Sequence, residues 1–354
     1  MKKNNISALE ALEKAQEIAF APFVFQATVS LKELGILDFI FENRRNGGVT
    51  IPEISKALNI SEYGIGVLLE IAESSDIVTK SADEKYEVTK TGYFLNEHET
   101  VNVNLNFTND VCYKPLFALT DSIKNGKPEG LKEFGNWNTI YEGLSVLPEK
   151  VATSWFEFDH HYSDAAFDEA LEIVFRNNPK TIYDVGGNTG KFALSACNKD
   201  ANVKVKMFDL RGQLNIALKN IKNAGFENRV SGFEIDWLSK DQVEIPKGAD
   251  TIWMSQFLDC FGDDEILSIL TRLAASMDEN TELLIMETFT DRQKFDNAKF
   301  SLEATSIYFT VLANGNSKMY PAKVFLQLID KAGLKLVDDL QAGEYHTVLV
   351  CKKK

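Results

Sequence analysis

An apolar run that ends on two glycines limits what this chain can fold into. Thr181-Ile182-Tyr183-Asp184-Val185 reads as a strand and Gly186-Gly187-Asn188-Thr189-Gly190 as a tight turn. From Lys191 onward, Phe192, Leu194, Ser195 and Ala196 resume helical spacing. Gly186 and Gly187 let the backbone approach a ligand, Asn188 tolerates a left-handed conformation, and Gly190 permits close packing at the helix start. The turn is not a P-loop, because Lys191 is followed by Phe192 rather than Ser or Thr. Glycines at 186, 187 and 190 also miss the dinucleotide G-x-G-x-x-G spacing. Further apolar runs at residues 203–208, 251–254 and 283–287 are separated by helix-like segments, which predicts a parallel sheet wound with crossover helices. Residues 334–337 and 347–351 are expected as an antiparallel pair at one edge.

Two carboxylates follow the turn at informative positions. Asp209 closes the second strand, 23 residues beyond Gly186, where an acidic side chain can accept hydrogen bonds from both ribose hydroxyls. Asp236 and Trp237 follow the third strand, offering one polar contact and one flat apolar face to an adenine. An aspartate after a strand is often only a helix cap, so the order and spacing of the set carry the reading.

The first third reads differently. Apolar residues at helical spacing mark residues 6–20, and a second apolar stretch covers residues 23–41. Thr50 with Pro52 opens a helix, Ser61 opens another, and residues 77–79 and 86–89 form a hairpin around Ser81-Ala82-Asp83-Glu84. This is a winged-helix pattern. Charge disfavours DNA binding, since residues 61–78 hold Glu62, Glu70, Glu73 and Asp76 and no Lys or Arg. The formal net charge of −14 argues the same way for nucleic acid generally. Between these parts, residues 102–161 are helical and rich in aromatics, interrupted by Pro115, Pro128 and Pro148, and are suited either to line an apolar cavity or to plain core.

The four cysteines lie at least 63 residues apart with no C-x-x-C pair, and no His stands three or four residues from a Cys or another His. A metal knuckle and a disulfide framework are therefore not expected, and a reducing cytoplasm is. Glu10, Glu13 and Glu17 follow the Met-Lys-Lys start, unlike a signal peptide, and no apolar run is long enough for a membrane span.

These motifs resemble the S-adenosylmethionine-dependent O-methyltransferases that act on small aromatic and polyketide molecules. The N-terminal likeness lies in Leu34-Gly35-Ile36-Leu37-Asp38 and Tyr86-Glu87-Val88-Thr89-Lys90-Thr91-Gly92. The catalytic likeness lies in Tyr162-Ser163-Asp164, Asp184-Val185-Gly186-Gly187, Phe208-Asp209-Leu210, Asp236, residues 258–265, Glu287 and Ala332-Gly333-Leu334. The resemblance implies an α/β fold: a Rossmann-like class I methyltransferase domain behind an N-terminal, mainly helical winged-helix dimerisation domain. It divides the chain into a dimerisation domain at 1–100, a helical substrate-lining region at 101–165 and a catalytic domain at 166–354. It implies S-adenosylmethionine as cofactor, with S-adenosylhomocysteine as product, a homodimer, and a small aromatic acceptor. It places Ser163, Asp184, Gly186, Asp209, Leu210, Asp236, Trp237 and Ser255 at the cofactor.

The likeness breaks at the acid–base centre. Where the family carries a His that removes the acceptor's hydroxyl proton, this chain has Asp259, and Met319 stands where some members carry an orienting Glu. Glu287 survives as the other orienting carboxylate, unless it caps the following turn, and Asn314 aligns loosely with a substrate-binding asparagine. A free carboxylate near pKa ~4 matches a phenol poorly; burial beside Phe257 and Phe261 would narrow the gap. His160 and His161 read as a solvated pair before a turn at Tyr162-Ser163-Asp164. Three readings follow: O-methyl transfer with Asp259 as base and Glu287 in support, aromatic C-methylation on the same fold, or a cofactor-binding protein that no longer methylates.

Overall fold

A computed structural model describes residues 6–164, 166–241 and 243–354, which divide into two units between Asn109 and Asp110. The first unit opens on one long helix, Ala8–Glu33. Ser7 caps it, its Oγ accepting from the Glu10 N–H at 3.2 Å while its own N–H donates to Glu10 Oε2 at 2.6 Å. The sequence suggested two stretches here; the helix instead runs through Pro22, which deletes only its own N–H donor while long helical segments on both sides hold the axis. Gly35, at φ +71°, turns the chain into Ile36–Glu42. Thr50 and Ser61 then start Ile51–Leu58 and Glu62–Ser74, as their capping chemistry predicts. The hairpin follows, β1 (Val78–Lys80) pairing antiparallel with β2 (Tyr86–Val88). Leu31, Ile36, Leu37, Ile40, Ile54, Ile65 and Leu69 form its core, all fully buried. Leu9, Leu12, Ile18 and Phe23 of the first helix stay more than half exposed.

The second unit is built on seven strands: β3 (Thr181–Val185), β4 (Lys204–Asp209), β5 (Val230–Glu234), β6 (Thr251–Ser255), β7 (Glu282–Glu287), β8 (Leu334–Ala342) and β9 (His346–Lys353). Their order is β5-β4-β3-β6-β7-β9-β8. β3 to β7 are mutually parallel, and β9 runs antiparallel between β7 and β8, so the expected terminal pair does close one edge. Strand order reverses at β3, which opens a crevice outside the carboxyl ends of β3 and β6.

Alternate strand residues feed two cores. Tyr183, Val185, Met254 and Ile285 pack on one face with helices Asp263–Ser276 and Ala322–Lys331; Ile182, Met207, Trp253 and Met286 pack on the other with Phe167–Val174, Lys191–Lys199 and Arg211–Asn223. Trp253 is fully buried and stacks on Phe192 at 4.7 Å, which contributes about 1 kcal/mol beyond area burial. The turn expected at Tyr162-Ser163-Asp164 is instead the end of helix Glu149–Asp164. On that helix His160 stacks on Phe156 at 6.0 Å and His161 meets Tyr162 edge-on at 5.3 Å, so the pair is half-buried against aromatics rather than merely solvated.

Candidate active site

The parallel strands bring the separated sequence motifs to one edge. Asp209, Ser255 and Glu287 are the last residues of β4, β6 and β7; Asp184 is next to last in β3; Asp236 and Trp237 follow β5 by two and three residues. The turn after β3 uses positive φ at Gly186 (+75°), Asn188 (+47°) and Gly190 (+85°). A Cβ on Gly186 would collide with the Phe257 ring, and one on Gly187 would lie 2.6 Å from Met207 Cε and 2.7 Å from Asp184 Oδ2. Bare backbone is therefore required at Gly186, whereas a side chain at Gly187 would have to displace the ends of Met207 and Asp184.

Asp209 holds the turn in place. Its Oδ2 accepts the Asn188 N–H at 2.9 Å and its Oδ1 accepts the Leu210 N–H at 2.7 Å. Burial raises its carboxyl to about 6 against the pull of those two donors. Two carboxylate oxygens offer about four acceptor sites, so capacity remains for hydroxyl donors. Asp184 is buried, and among the described residues its Oδ2 has no hydrogen-bond partner; burial, then the charge of Asp209, pushes it up to about 8. Thr189 Oγ1, Ser255 Oγ and the Trp237 indole N–H are likewise buried and unpartnered among the described residues.

Asp236 is exposed, its Oδ1 taking the Leu238 N–H at 2.9 Å. One face of Trp237 is covered by the Arg272 guanidinium at 4.9 Å, and its edge meets Phe257 at 6.2 Å. A cradle of bare glycine backbone, an under-used carboxylate and orphaned hydroxyl and indole groups fits an adenosyl ligand with hydroxyl and amine donors. Ser163 lies in helix Glu149–Asp164, but its side chain is outside the described residues.

Beyond β6 the backbone strains. Gln256 takes φ +46°, donating its N–H to the Met286 carbonyl at 2.9 Å, and the chain turns into Leu258–Cys260. This brings Asp259, 5% exposed, beside Glu287, 2% exposed. Glu287 Oε1 accepts the N–H groups of Phe257 at 3.2 Å and Leu258 at 3.0 Å; its Oε2 has no partner among the described residues. The Cys260 thiol donates to Asp259 Oδ1 at 3.5 Å. Burial lifts Asp259 to about 7, and Asp159 adds to it. Burial, then the Asp259 charge, hold Glu287 well above the carboxylate range.

The sequence offers Tyr141 and Trp155 among the aromatics able to line a cavity, but Asp159 and Tyr308 escaped that reasoning. Asp159 sits one helical turn after Trp155, whose indole N–H donates to the Tyr308 hydroxyl at 2.7 Å. Its Oδ2 accepts the Asn188 amide at 3.2 Å, which ties the glycine turn to helix Glu149–Asp164. Tyr141 and Tyr308 stand within electrostatic reach of Cys260, and burial pushes both phenols well up. The available signal was an acid four residues after Trp155 on an otherwise aromatic face. Asn314 serves the local turn: its amide donates to the Cys260 carbonyl and its Oδ1 accepts the Ser317 hydroxyl at 2.7 Å. Met319 is buried, its sulfur 3.9 Å from Thr288 Oγ1. Among the described residues, no group of three or more His, Cys, Asp or Glu could hold a metal ion, and no helix is long and apolar enough to cross a membrane.

Comparison with known proteins identifies the family and the fold. Residues 117–335 match the O-methyltransferase domain model, and residues 13–86 match a Dimerisation2-like domain. O-methyltransferase 7 of Dictyostelium discoideum is 22% identical over 320 residues, 90% of this chain and 88% of that protein. The solved structure of the mitomycin 7-O-methyltransferase MmcR aligns with a TM-score of 0.72 at 17% identity, covering 98% of each chain. An O-methyltransferase from neocarzinostatin biosynthesis, solved with S-adenosyl-L-homocysteine and 1,4-dihydroxy-2-naphthoic acid, aligns at 0.68 and 17% identity, covering 93% of this chain and 96% of that one.

Proposed function

The chain belongs to the O-methyltransferase domain family, whose methyl donor is S-adenosylmethionine, and from that premise we propose that it methylates a hydroxyl of a small aromatic or polyketide-like acceptor with Asp259 as the base. The observation that carries this reading is the burial of Asp259 and Glu287 side by side, which raises both carboxyls, Asp259 to about 7. A carboxylate raised to about 7 is a far better match to a phenol than an ordinary one. S-adenosylmethionine, when bound, supplies the methyl group on a sulfonium sulfur. Asp259 accepts the hydroxyl proton as the O–CH₃ bond forms and the S–CH₃ bond breaks. Glu287 keeps its proton throughout and anchors the Phe257 and Leu258 N–H groups, which sets the position of Asp259. The pair ends neutral as the donor loses its positive charge, so no net charge is created in a buried site.

On the cofactor side we assign Asp209 to the ribose, with the Leu210 N–H fixing its carboxylate. Asp236 and Trp237 take the adenine, and Asp184, Gly186 and Ser255 line the remainder of the ligand. The apolar residues left exposed on Ala8–Glu33, together with the dimerisation-domain match, support a homodimer. Four free thiols fit a reducing cytoplasm.

The test is to incubate purified chain with S-adenosylmethionine and a panel of phenols, and to follow a gain of one methyl by mass spectrometry. Product NMR then locates the methyl. A ring-carbon methyl replaces this reading with C-methylation, and no methylated product from any phenol removes it.

A further inference from the structure

The loop that carries Asp259 is tied down on both sides of that residue. Before it, Gln256 holds φ +46°, a strained conformation that persists only in a well-determined frame, and Glu287 Oε1 takes the Phe257 and Leu258 N–H groups. After it, the Asn314 amide donates to the Cys260 carbonyl, and the Tyr320 hydroxyl donates to the Phe261 carbonyl at 2.8 Å. Residues 314–320 are themselves fixed. The Asn314 N–H donates to the Phe309 carbonyl at 3.2 Å, the Met319 N–H to Ser306 Oγ at 3.1 Å, and the Thr290 N–H to the Tyr320 carbonyl at 3.0 Å. Gly315, at φ +87°, packs so closely on Lys127 that a Cβ would lie 2.6 Å from its backbone.

The bonds of Asn314 decide what it can do. Its Oδ1 accepts three donors: the N–H groups of Asn316 at 3.2 Å and Ser317 at 3.1 Å, and the Ser317 hydroxyl at 2.7 Å. An amide oxygen has two lone pairs, so none is left for an acceptor molecule, and the amide nitrogen already serves Cys260. We propose that Asn314 and Tyr320 are positioning residues, which hold the two peptides after Asp259 and thereby aim its carboxylate at the acceptor hydroxyl without touching the acceptor. The assignment rests on the reading of Asp259 as the base. Leu258–Cys260 is one short turn, and its own bonds fix a side chain poorly. The buried Tyr320 and the anchored Asn314 supply the rigidity that the turn lacks.

Three variants of the full chain test this. Tyr320→Phe removes one hydroxyl and keeps the ring, Asn314→Ala removes the amide, and Ser317→Ala takes a donor from Asn314 Oδ1 while sparing the Cys260 contact. With catechol as acceptor, kcat should fall about ten- to a hundredfold in the first two. KM for catechol and calorimetric affinity for S-adenosylhomocysteine should stay within about twofold, and Ser317→Ala should keep kcat within about threefold. A second readout needs no turnover: carbon NMR of chain labelled at the aspartate carboxyls, with Asp259 assigned by its absence in Asp259→Asn. Its titration midpoint should fall by about half a pH unit or more in Asn314→Ala and Tyr320→Phe, as water reaches a looser loop. The titratable groups acting on Asp259 are Asp159, Cys260, Glu287, Tyr141 and Tyr320; the phenol lost in Tyr320→Phe is kept neutral by burial, so no charge changes. A loss confined to the KM for catechol makes Asn314 an acceptor ligand and overturns the proposal. So does a midpoint that neither variant moves, a wild-type midpoint in the ordinary carboxylate range, or a Ser317→Ala loss equal to that of Asn314→Ala. Shifted midpoints in a chain that methylates no phenol, or that keeps its rate in Asp259→Asn, refute the base reading and leave the placement of Asp259 supported.

Discussion

The division of labour within the Asp259–Glu287 pair predicts two isosteric substitutions with opposite outcomes. With Asp259 near 7, its ionised fraction rises from about one-eleventh at pH 6 to about ten-elevenths at pH 8, so kcat/KM should climb about tenfold over that interval and then level off. Asp259→Asn removes the group that titrates and should cost on the order of 10²–10⁴ in kcat/KM, with the limb abolished. Glu287→Gln should do neither. Glutamine reproduces a carboxyl that already holds its proton, and its carbonyl can still accept from Phe257 at 3.2 Å and Leu258 at 3.0 Å. Its activity should stay within about fivefold of the parent and its limb near pH 7.

The assay is initial-rate methyl transfer at subsaturating phenol, from pH 5.5 to 8.5 at constant ionic strength. Cofactor affinity should be measured alongside, so that a binding defect is not mistaken for a chemical one. A flat wild-type profile, or a limb that survives in Asp259→Asn, would refute Asp259 as base. A Glu287→Gln profile displaced by more than a pH unit would show that Glu287 is ionised in the working enzyme and that the proton has been placed on the wrong partner.

Other expectations can be checked separately. Asp209→Ala should weaken S-adenosylhomocysteine binding by about 1–3 kcal/mol in calorimetry, through lost ribose contacts and two released N–H groups. Gly186→Ala forces an L side chain to φ +75° at about 1–2 kcal/mol and drives a methyl into Phe257; cofactor affinity should fall, and a second change, Phe257→Leu, should recover part of it. Asp184 keeps its proton in the folded chain up to about pH 8 while the unfolded chain ionises near 4, so cofactor-free stability should decline as pH rises across that window; Asp184→Asn should flatten the decline in Tm. Ile18→Glu with Phe23→Glu should shift the mass measured by light scattering from dimer to monomer, while an unchanged mass would place the pairing surface elsewhere.

The geometry of the glycine turn and of the carboxylates at the strand ends was legible because its physics is local. Gly186, Gly190 and Asn188 declare positive φ in the sequence itself, and strand alternation carries Asp209 and Ser255 to the same sheet edge without further information. The caps at Thr50 and Ser61 were visible for the same reason: a hydroxyl, a turn and an apolar period lie within a few residues of each other. Pro22 was less so, since the tolerance of a helix for one lost donor depends on what lies on either side of it.

The acid–base half depended on distance. Asp159, Asp259 and Glu287 are separated by 100 and 28 residues, and what makes them unusual is a shared desolvated volume that no spacing rule encodes. A histidine in place of Asp259 would be recognisable on sight because an unperturbed imidazole already titrates near neutrality. A carboxylate acquires that behaviour only from its surroundings: burial beside Phe257 and Phe261, packed at 4.9 Å, and the nearby Asp159 raise it against the pull of the Cys260 thiol. On the proposed reading, an aspartate base moves the catalytic information out of one residue and into its packing. Variants that loosen the Phe257–Phe261 contact should therefore lower the pH of the rate limb.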